Sequence, residues 1–292
     1  MSESSKGPGW TTMKIDPEIF EELGVRDPEE TKREMAISKR ARQVRKELKD
    51  DPNNIDLQLE LGRLFIDGGE LDEAIKQLKQ IIGRDSQSGL AYKLLGTAYA
   101  MANHEDEAIR ELTRASELFS EDPEVHLNLG GVFMLQDMYE SAARCFKKVI
   151  EIDPMDRLGY ANLAAAYDMD KKYDEEIQVL KKILMFAPED IELRSALSTA
   201  YFNSENYDEA LNHALCVIEL DEKDPQAYCN LGSCYSAQNM TDEAVEAFKK
   251  ATEIDPEYSL PHTNLGSLYA TIGRIEKAIK EFKLATSMNQ SD

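Results

Sequence analysis

The sequence has few of the features that mark secreted or membrane-spanning proteins. Four cysteines in 292 residues, without regular disulfide spacing, favour a reducing compartment. No stretch approaches the roughly 18 consecutive apolar residues of a transmembrane helix, and residues 1–12 lack the apolar region of a signal peptide. We therefore expect a cytoplasmic protein without a membrane span.

Positive charge is also scarce. The chain has 34 Lys and Arg residues against 56 Asp and Glu residues, a formal net charge of −22 with a pI near 4.6. Phosphate backbones and anionic lipids both require a concentrated cationic surface. The composition therefore argues against nucleic acid as a partner and favours neutral or basic protein partners.

Motifs that carry catalysis or bind cofactors are missing as well. The sequence contains no P-loop, no dinucleotide-binding glycine fingerprint, no zinc-protease motif and no nucleophile elbow. Its four histidines, His104, His126, His213 and His262, are dispersed along the chain. We therefore predict that the protein is not an enzyme and has no catalytic residues, metal or cofactor.

What the sequence does have is a period of 34 residues. The segments HLNLGGVF, YANLAAAY, YCNLGSCY and HTNLGSLY begin at residues 126, 160, 228 and 262, which are separated by multiples of 34. Extending this register gives seven repeats without a gap. The repeats cover residues 55–88, 89–122, 123–156, 157–190, 191–224, 225–258 and 259–292.

Each repeat has the pattern of a helical hairpin. Position 7, counted from the first residue of a repeat, is always Leu, and position 11 is always aromatic, so both lie on one helical face. Position 8 is Gly in five repeats and Ala164 or Ser198 in the others, while position 20 is Ala in six repeats and Glu176 in one. Small residues at these two positions let two helices approach closely. The second half of each repeat has apolar residues at three- and four-residue spacings, as in 242–256.

A 34-residue hairpin with this pattern resembles the tetratricopeptide repeat (TPR) family, and the resemblance covers residues 55–292. It implies an all-α, right-handed superhelical solenoid of antiparallel helix hairpins. It also implies a noncatalytic adaptor that binds a protein or peptide segment in a concave groove. In this family the first helices line the groove with positions 2, 5, 6, 9, 12 and 13.

Asparagine recurs at position 6 of the implied groove. An amide side chain both donates and accepts hydrogen bonds, so a row of them can hold the backbone of an extended peptide. The row is similar to the asparagine ladder in the TPR superhelix of O-linked N-acetylglucosamine transferases, although Asn is also common here in generic TPR sequences. Its members are Asn128, Asn162, Asn230 and Asn264.

The first half of the implied groove is more apolar, and its clear positive charges are Arg63 and Lys93. Apolar surfaces rich in methionine adapt to varied side chains. Carboxylate-clamp TPRs, which bind chaperone C-termini, need further basic residues where this chain has Leu158 and Asn162, so we do not expect that ligand. The predicted apolar contacts are Leu127, Met134, Leu158 and Met169.

Cys229 and Cys234 stand close together in the sixth repeat. Five residues on an α-helix separate two side chains by about 140°, so both thiols cannot easily bind one ion. Cys234 occupies position 10, which is small and apolar in other repeats, and Cys229 occupies position 5. We predict structural cysteines rather than a metal or redox site.

Residues 31–54 precede the first repeat. Residues 31–49 carry eight basic and two acidic residues. An apolar stripe within them consists of Ile37, Ala41, Val44 and Leu48. We predict a basic helix that caps the first hairpin. The alternative is a docking strip for an acidic partner or a membrane surface.

Residues 1–30 are predicted to be a flexible tail with a short helix at 16–24. Its candidate docking residues are Trp10, Ile19, Phe20 and Leu23. They bind a partner, bind the protein's own groove, or belong to a disordered tail, and the sequence does not decide among these.

Two other functions remain open beside the adaptor. A self-assembling scaffold would form homo-oligomers through the seventh repeat, where no following helix covers Ala278, Phe282 and Ala285. A regulatory subunit would recruit one protein through residues 1–54 while the repeats hold another.

Overall fold

The computed structural model describes residues 28–288, and the regular structure in that range is entirely helical. None of the helices in that range combines the length and the apolar character that crossing a membrane requires. The helices are α1 (Pro28–Asp50), α2 (Ile55–Asp67), α3 (Leu71–Arg84), α4 (Gly89–Met101), α5 (Glu105–Leu118), α6 (Pro123–Leu135), α7 (Tyr139–Ile152), α8 (Arg157–Met169), α9 (Tyr173–Leu184), α10 (Ile191–Asn203), α11 (Tyr207–Leu220), α12 (Pro225–Ala237), α13 (Thr241–Ile254), α14 (Ser259–Thr271) and α15 (Ile275–Met288).

The chain divides into two compact units, residues 1–118 and 119–292. The described part of the first unit holds α1 to α5, and that of the second holds α6 to α15. Within each unit, consecutive helices pack against each other in sequence order. The first helix of each pair begins at the residue where a 34-residue repeat starts in the sequence. The prediction of an all-α stack of helix hairpins is confirmed.

Local signals fix where these helices begin and how they turn. Six of the seven first helices have a side chain just before them that accepts a hydrogen bond from a backbone N–H of the first turn, which stabilises a helix by about 1 kcal/mol. The residue at position 15, between the two helices of a pair, has a positive φ in all seven repeats, from 54° to 75°. These turn residues are Gly69, Asn103, Asp137, Lys171, Glu205, Asn239 and Gly273.

The two helices of each repeat meet where position 8 faces position 24. A Cβ added to Gly130 would lie 2.5 Å from Cε1 of Phe146, and one added to Gly96 would lie 2.5 Å from Cγ of Leu112. Where position 8 is Ser198 instead of Gly, position 24 is the smaller Ala214. The Ser198 hydroxyl there donates a 2.8 Å hydrogen bond to the carbonyl oxygen of Ala210. Glycine at position 8 thus leaves room for a large residue at position 24, and Ser198 faces a small one.

Glu176 is the exception at position 20. The six alanines at this position are at most 3% exposed, and Glu176 is 7% exposed, so its carboxyl group lies in the same helix contact. Its Oε2 is buried without a hydrogen-bond partner. Burial, with a smaller contribution from the charge of Asp168, raises the pKa of Glu176 to about 7. The charged form is therefore disfavoured in the folded chain.

Helix α1 packs on the first hairpin through the predicted apolar stripe. Ala41 and Val44 are buried, while Ile37 and Leu48 are half-buried. Arg40 donates two hydrogen bonds, of 2.6 and 2.8 Å, to the carboxylate of Glu60 in α2. Helix α1, Pro28–Asp50, therefore covers part of the first hairpin, and its role as a cap stays a prediction.

At four junctions, a basic side chain lies over the aromatic ring at position 11 of the next helix along the chain. The cation-to-centroid distances are 5.1 Å for Arg45 over Phe65, 5.3 Å for Lys79 over Tyr99, 5.3 Å for Lys147 over Tyr167 and 5.1 Å for Lys181 over Tyr201. Each such contact stabilises a partly exposed site by roughly 0.5–1 kcal/mol. All four basic residues are at position 25 when the 34-residue register is extended back over α1. At the α11–α12 junction this position is Leu215.

The small residues of the last helix, α15, are less exposed than the sequence predicts. Ala278 and Ala285 are only 3% and 5% exposed, so the prediction that they lack cover is wrong. They are buried because α15 turns its small residues toward the preceding hairpin helix, as Ala278 does toward Leu265 and Tyr269. The exposed apolar residues of α15 are Ile275, Ile279 and Phe282.

The contact between positions 8 and 24 predicts opposite effects for two adjacent glycines. Gly130→Ala places its Cβ against the buried ring of Phe146, and we expect destabilisation by about 1–2 kcal/mol after the gain in helix propensity. Gly131→Ala meets no atom within 4 Å, and we expect stabilisation by about 0.5–1 kcal/mol. Urea denaturation of both variants measures the difference, and equal stabilities would contradict this packing.

Glu176 predicts a pH-dependent stability. Its pKa is about 7 in the folded chain and near 4.5 when unfolded, so folding binds a proton between these values and stability from this group is lost as pH rises through 7. As pH rises from 5 to 8, we expect the free energy of unfolding of Glu176→Ala to increase by about 2–3 kcal/mol relative to that of the parent chain. Denaturation at several pH values tests this, with the exposed Glu175→Ala as control for loss of one carboxylate.

Candidate partner-binding groove

The groove positions of the second unit come from α6, α8, α10, α12 and α14, and we call these positions the groove face. All four asparagines at position 6, which are Asn128, Asn162, Asn230 and Asn264, are half-buried on these helices. Such side chains are held by neighbours but retain exposed atoms. Arg63 and Lys93 belong to the first unit, where Arg63 on α2 is exposed and Lys93 on α4 is half-buried.

Asn264 is tied to the preceding repeat. Its Nδ2 lies 3.4 Å from Sγ of Cys229 and 3.4 Å from Oγ of Ser233, both on α12. These long contacts orient the amide across the α12–α14 interface. Its Oδ1 has no partner among the described residues, so it is available as an acceptor.

Asn230 has a different environment, although it occupies the same repeat position. Its Oδ1 accepts a 3.2 Å hydrogen bond from Nε2 of Gln226, whose Oε1 accepts one from the hydroxyl of Tyr258. The Nδ2 of Asn230 is buried without a hydrogen-bond partner. In this conformation Asn230 does not present a donor to a ligand, and the four amides are not equivalent.

The apolar groove residues also fall into two groups. Leu127 and Met134 are half-buried and pack against the core formed by repeats three to five. Leu158 and Met169 are 57% and 53% exposed on α8. The first pair therefore supports the fold, whereas the second pair offers apolar surface to a ligand.

Hydroxyl groups follow the groove face at positions 5, 9 and 13. Ser233, Ser267 and Thr271 each donate a hydrogen bond of 3.0 Å to the backbone carbonyl four residues earlier. Because the hydroxyl hydrogen is used within the helix, the oxygen faces outward as an acceptor. The wall formed by α12 and α14 is therefore rich in acceptors.

A cavity of about 300 Å³ opens beside this wall. Asn264, Ser233, Ser267 and Thr271 contribute polar atoms to it, and further lining residues include Phe202, Leu268 and Ile272. It lies among α10, α12, α13 and α14 and combines acceptor oxygens with apolar surface. A site of this size and composition fits one large side chain with its adjoining backbone.

Three of the four cysteines belong to the packed interior, and Cys216 is half-buried. Cys229 and Cys234 are each 1% exposed, and burial raises the pKa of both thiols to about 11. Cys145 is also buried, with its pKa raised to about 11 for the same reason. Such thiols carry little thiolate near neutral pH and are poor nucleophiles or metal ligands.

Two histidines, the buried His126 and the half-buried His262, make separate local contacts. A ring nitrogen of His126 lies 2.9 Å from the carbonyl oxygen of Ser120, and Nδ1 of His262 lies 2.8 Å from Oε2 of Glu281. Within residues 28–288, His, Cys, Asp and Glu side chains form no group of three able to hold a metal ion.

Family models described as tetratricopeptide repeat match residues 34–115, 123–155, 225–258 and 247–280. The first of these matches begins inside α1, so it includes most of the basic helix. No curated protein matches the sequence significantly.

Solved TPR structures are similar to this chain in fold. The C-terminal part of a TPR protein from Cytophaga hutchinsonii has a TM-score of 0.63 at 15% identity, covering 80% of this chain and 96% of that one. YrrB, described as a TPR protein with an unusual peptide-binding site, has a TM-score of 0.53 at 21% identity, with coverages of 63% and 95%. MamA from Desulfovibrio magneticus has a TM-score of 0.51 at 21% identity, with coverages of 58% and 96%.

The repeat register, the helix pairs, the family models and the structural neighbours agree. Proteins of this kind are typically noncatalytic modules for protein–protein interaction. The chain belongs to the tetratricopeptide repeat family.

Proposed function

We propose that this protein is a noncatalytic adaptor that binds an extended segment of a partner protein on the groove face of residues 119–292. The observation that carries the proposal is the acceptor-rich wall of α12 and α14 beside the 300 Å³ cavity. A partner side chain enters the cavity while its backbone runs along the wall. Leu158 and Met169 provide exposed apolar contacts farther along the same face.

Hydrogen bonding supports a peptide backbone as the ligand. An extended segment presents N–H groups that need acceptors when they leave water. Oδ1 of Asn264 and the hydroxyl oxygens of Ser233 and Ser267 supply such acceptors. Asn162 makes no hydrogen bond within the described residues, so its amide is available both to donate and to accept.

Charge supports a neutral or basic segment. The thirty lining positions of the groove face include no Lys, Arg or His. Their charged residues are Glu124, Asp168 and Glu192. An acidic segment would therefore meet only like charge on this face, whereas a basic segment would be attracted.

The proposal predicts that Asn162→Ala with Asn264→Ala loses partners. Each removed hydrogen bond weakens binding by roughly 0.5–1.5 kcal/mol, so we expect about tenfold weaker binding or more. Proteins captured from a native extract by the parent chain and by this variant identify the segment, and calorimetry with the corresponding peptide measures its affinity.

The matched control is Gln178→Ala with Asn212→Ala, which removes two exposed amides from the second helices α9 and α11. The control should bind like the parent chain. Unchanged affinity of the Asn162/Asn264 variant would show that partners do not use the groove face.

Self-association is a second candidate function, favoured by the exposed stripe of α15. Ile275, Ile279 and Phe282 are 56%, 49% and 39% exposed, and a recess of about 390 Å³ lies beside Ile279 and Phe282. Apolar stripes of this kind mark contact surfaces more often than scattered exposed residues do. A second copy of the chain is one partner able to cover it.

Sedimentation at increasing protein concentration tests self-association. If the stripe is the interface, the parent chain forms oligomers and Ile275→Ser with Ile279→Ser shifts it to monomer. Met155→Ser with Met185→Ser, which removes two exposed methionines of the same unit, should leave the oligomer intact. A parent chain that is monomeric at high concentration would rule out this function.

A further inference from the structure

A second cavity, of about 380 Å³, lies among α7, α8 and α9 and contains no position of the groove face. Tyr160, Leu163 and Tyr167 of α8 line it, and all three are buried. Ile150 of α7 and Val179 of α9 add further apolar surface. The cavity therefore has an apolar floor with two tyrosine rings, and its size is that of a ligand site.

The rim of this cavity is charged. Lys147 and Glu151 of α7 and Glu175 and Lys182 of α9 are exposed lining residues. Glu151 lies 3.8 Å from Lys148, whereas neither Lys182 nor Glu175 has an ion-pair partner among residues 28–288. Glu175 and Lys182 are seven residues apart, which is about 10 Å along a helix. The Lys182 end of the cavity thus offers a cation that is well separated from the unpaired carboxylate of Glu175.

The next repeat shows which group fits beside such a tyrosine. In repeat five, the ring of His213 at position 23 stacks on Tyr201 at position 11, with 5.5 Å between centroids and 18° between planes. Lys181 from the preceding repeat lies over the same tyrosine, 5.1 Å from its centroid. Tyr201 therefore has two partners, a cation and a flat ring.

Repeat four has the cation but not the ring. Lys147 lies 5.3 Å from the centroid of Tyr167, as Lys181 does for Tyr201. Position 23 is Val179, which has no ring to stack on Tyr167, and the cavity is found at this place. The difference between the two repeats thus has the chemistry of one aromatic side chain.

We propose that this cavity binds an aromatic side chain from an acidic segment of a partner protein. The ring enters beside Tyr167, where His213 lies beside Tyr201, and a neighbouring carboxylate of the segment pairs with Lys182. Burial of the ring against tyrosine and aliphatic side chains supplies most of the affinity. The ion pair adds selectivity more than affinity, because Lys182 is exposed.

This site is independent of the proposed function, since it shares no residue with the groove face. The two surfaces also differ in the charge that they select, because the charged residues of the groove face are acidic. A neutral or basic segment in the groove and an acidic segment at the cavity can therefore bind together. The docking residues predicted near the start of the chain lie outside the described residues and are not part of this site; they are Trp10, Ile19, Phe20 and Leu23.

Methyl NMR of the full chain, titrated with capped dipeptides, tests the site. We expect N-acetyl-Phe-Glu-amide to shift the methyl resonances of Ile150 and Leu163 with a dissociation constant on the order of 1 mM. N-acetyl-Ala-Glu-amide, which lacks the ring, should leave them in place. N-acetyl-Phe-Lys-amide should bind about threefold to fivefold more weakly, as expected for the loss of one exposed ion pair.

Filling the cavity from within should block the probe. Val179→His reproduces the residue of repeat five, and we expect it to weaken binding of the Phe-Glu dipeptide at least about tenfold, since its ring takes the place of the ligand. Unchanged methyl resonances of Leu231 show that this variant is folded. The matched control is His213→Val, which makes the reverse exchange in repeat five and should leave the shifts of Ile150 and Leu163 as in the parent chain.

Charge reversal tests the acidic character of the partner. Lys182→Glu should make the Phe-Lys dipeptide bind more tightly than the Phe-Glu dipeptide. Lys249→Glu, which reverses an exposed charge on α13, should keep the order of the parent chain.

Any of three results would overturn the proposal. The Phe-Glu dipeptide would leave Ile150 and Leu163 unshifted in the parent chain, Val179→His would bind it as the parent chain does, or Lys182→Glu would leave the order of the two dipeptides unchanged. None of these results bears on the Asn162/Asn264 variant, so the groove proposal is tested separately.

Discussion

The rest of the structure depends on how closely the two helices of each repeat approach. Position 8 of the first helix faces position 24 of the second, and the space between the backbones admits one large side chain. Gly130 with Phe146 and Ser198 with Ala214 are two solutions to the same limit. Because close packing orients each hairpin, it also determines which side of the first helix remains for a ligand.

Much of this architecture could be predicted from the sequence, because the repeat displays the same small and apolar residues seven times. The left-handed turn at position 15 was missed, although Gly, Asn or Asp occupies this position in five of the seven repeats and favours a positive φ; only Lys171 and Glu205 give no such signal. The basic side chains over aromatic rings were also missed, because each contact joins position 25 of one repeat to position 11 of the next. Only the stacked structure brings these positions together.

The candidate groove shows a sharper limit of sequence reasoning. Asparagine at position 6 is visible in the sequence, but the state of each amide depends on neighbours in adjacent repeats. Gln226 and Tyr258 form a network around Asn230, whereas Cys229 and Ser233 orient Asn264 and leave its oxygen available. Position 20 is similar: the pattern marks Glu176 as unusual, but only the structure shows the burial of its carboxyl group, which raises the pKa of Glu176.

The α11–α12 junction has a mechanical consequence for the second unit. Leu215 takes the place of the basic residue that covers a ring at four other junctions, and a small buried cluster of Ala214, Leu231 and Ala247 lies at this junction. In a linear array, each boundary contributes its own share of resistance to opening. A force that opened the stack at this boundary would leave the helix pairs on either side intact. Helices α12 to α15 would then separate as one block that carries Asn230 and Asn264 away from Asn128 and Asn162.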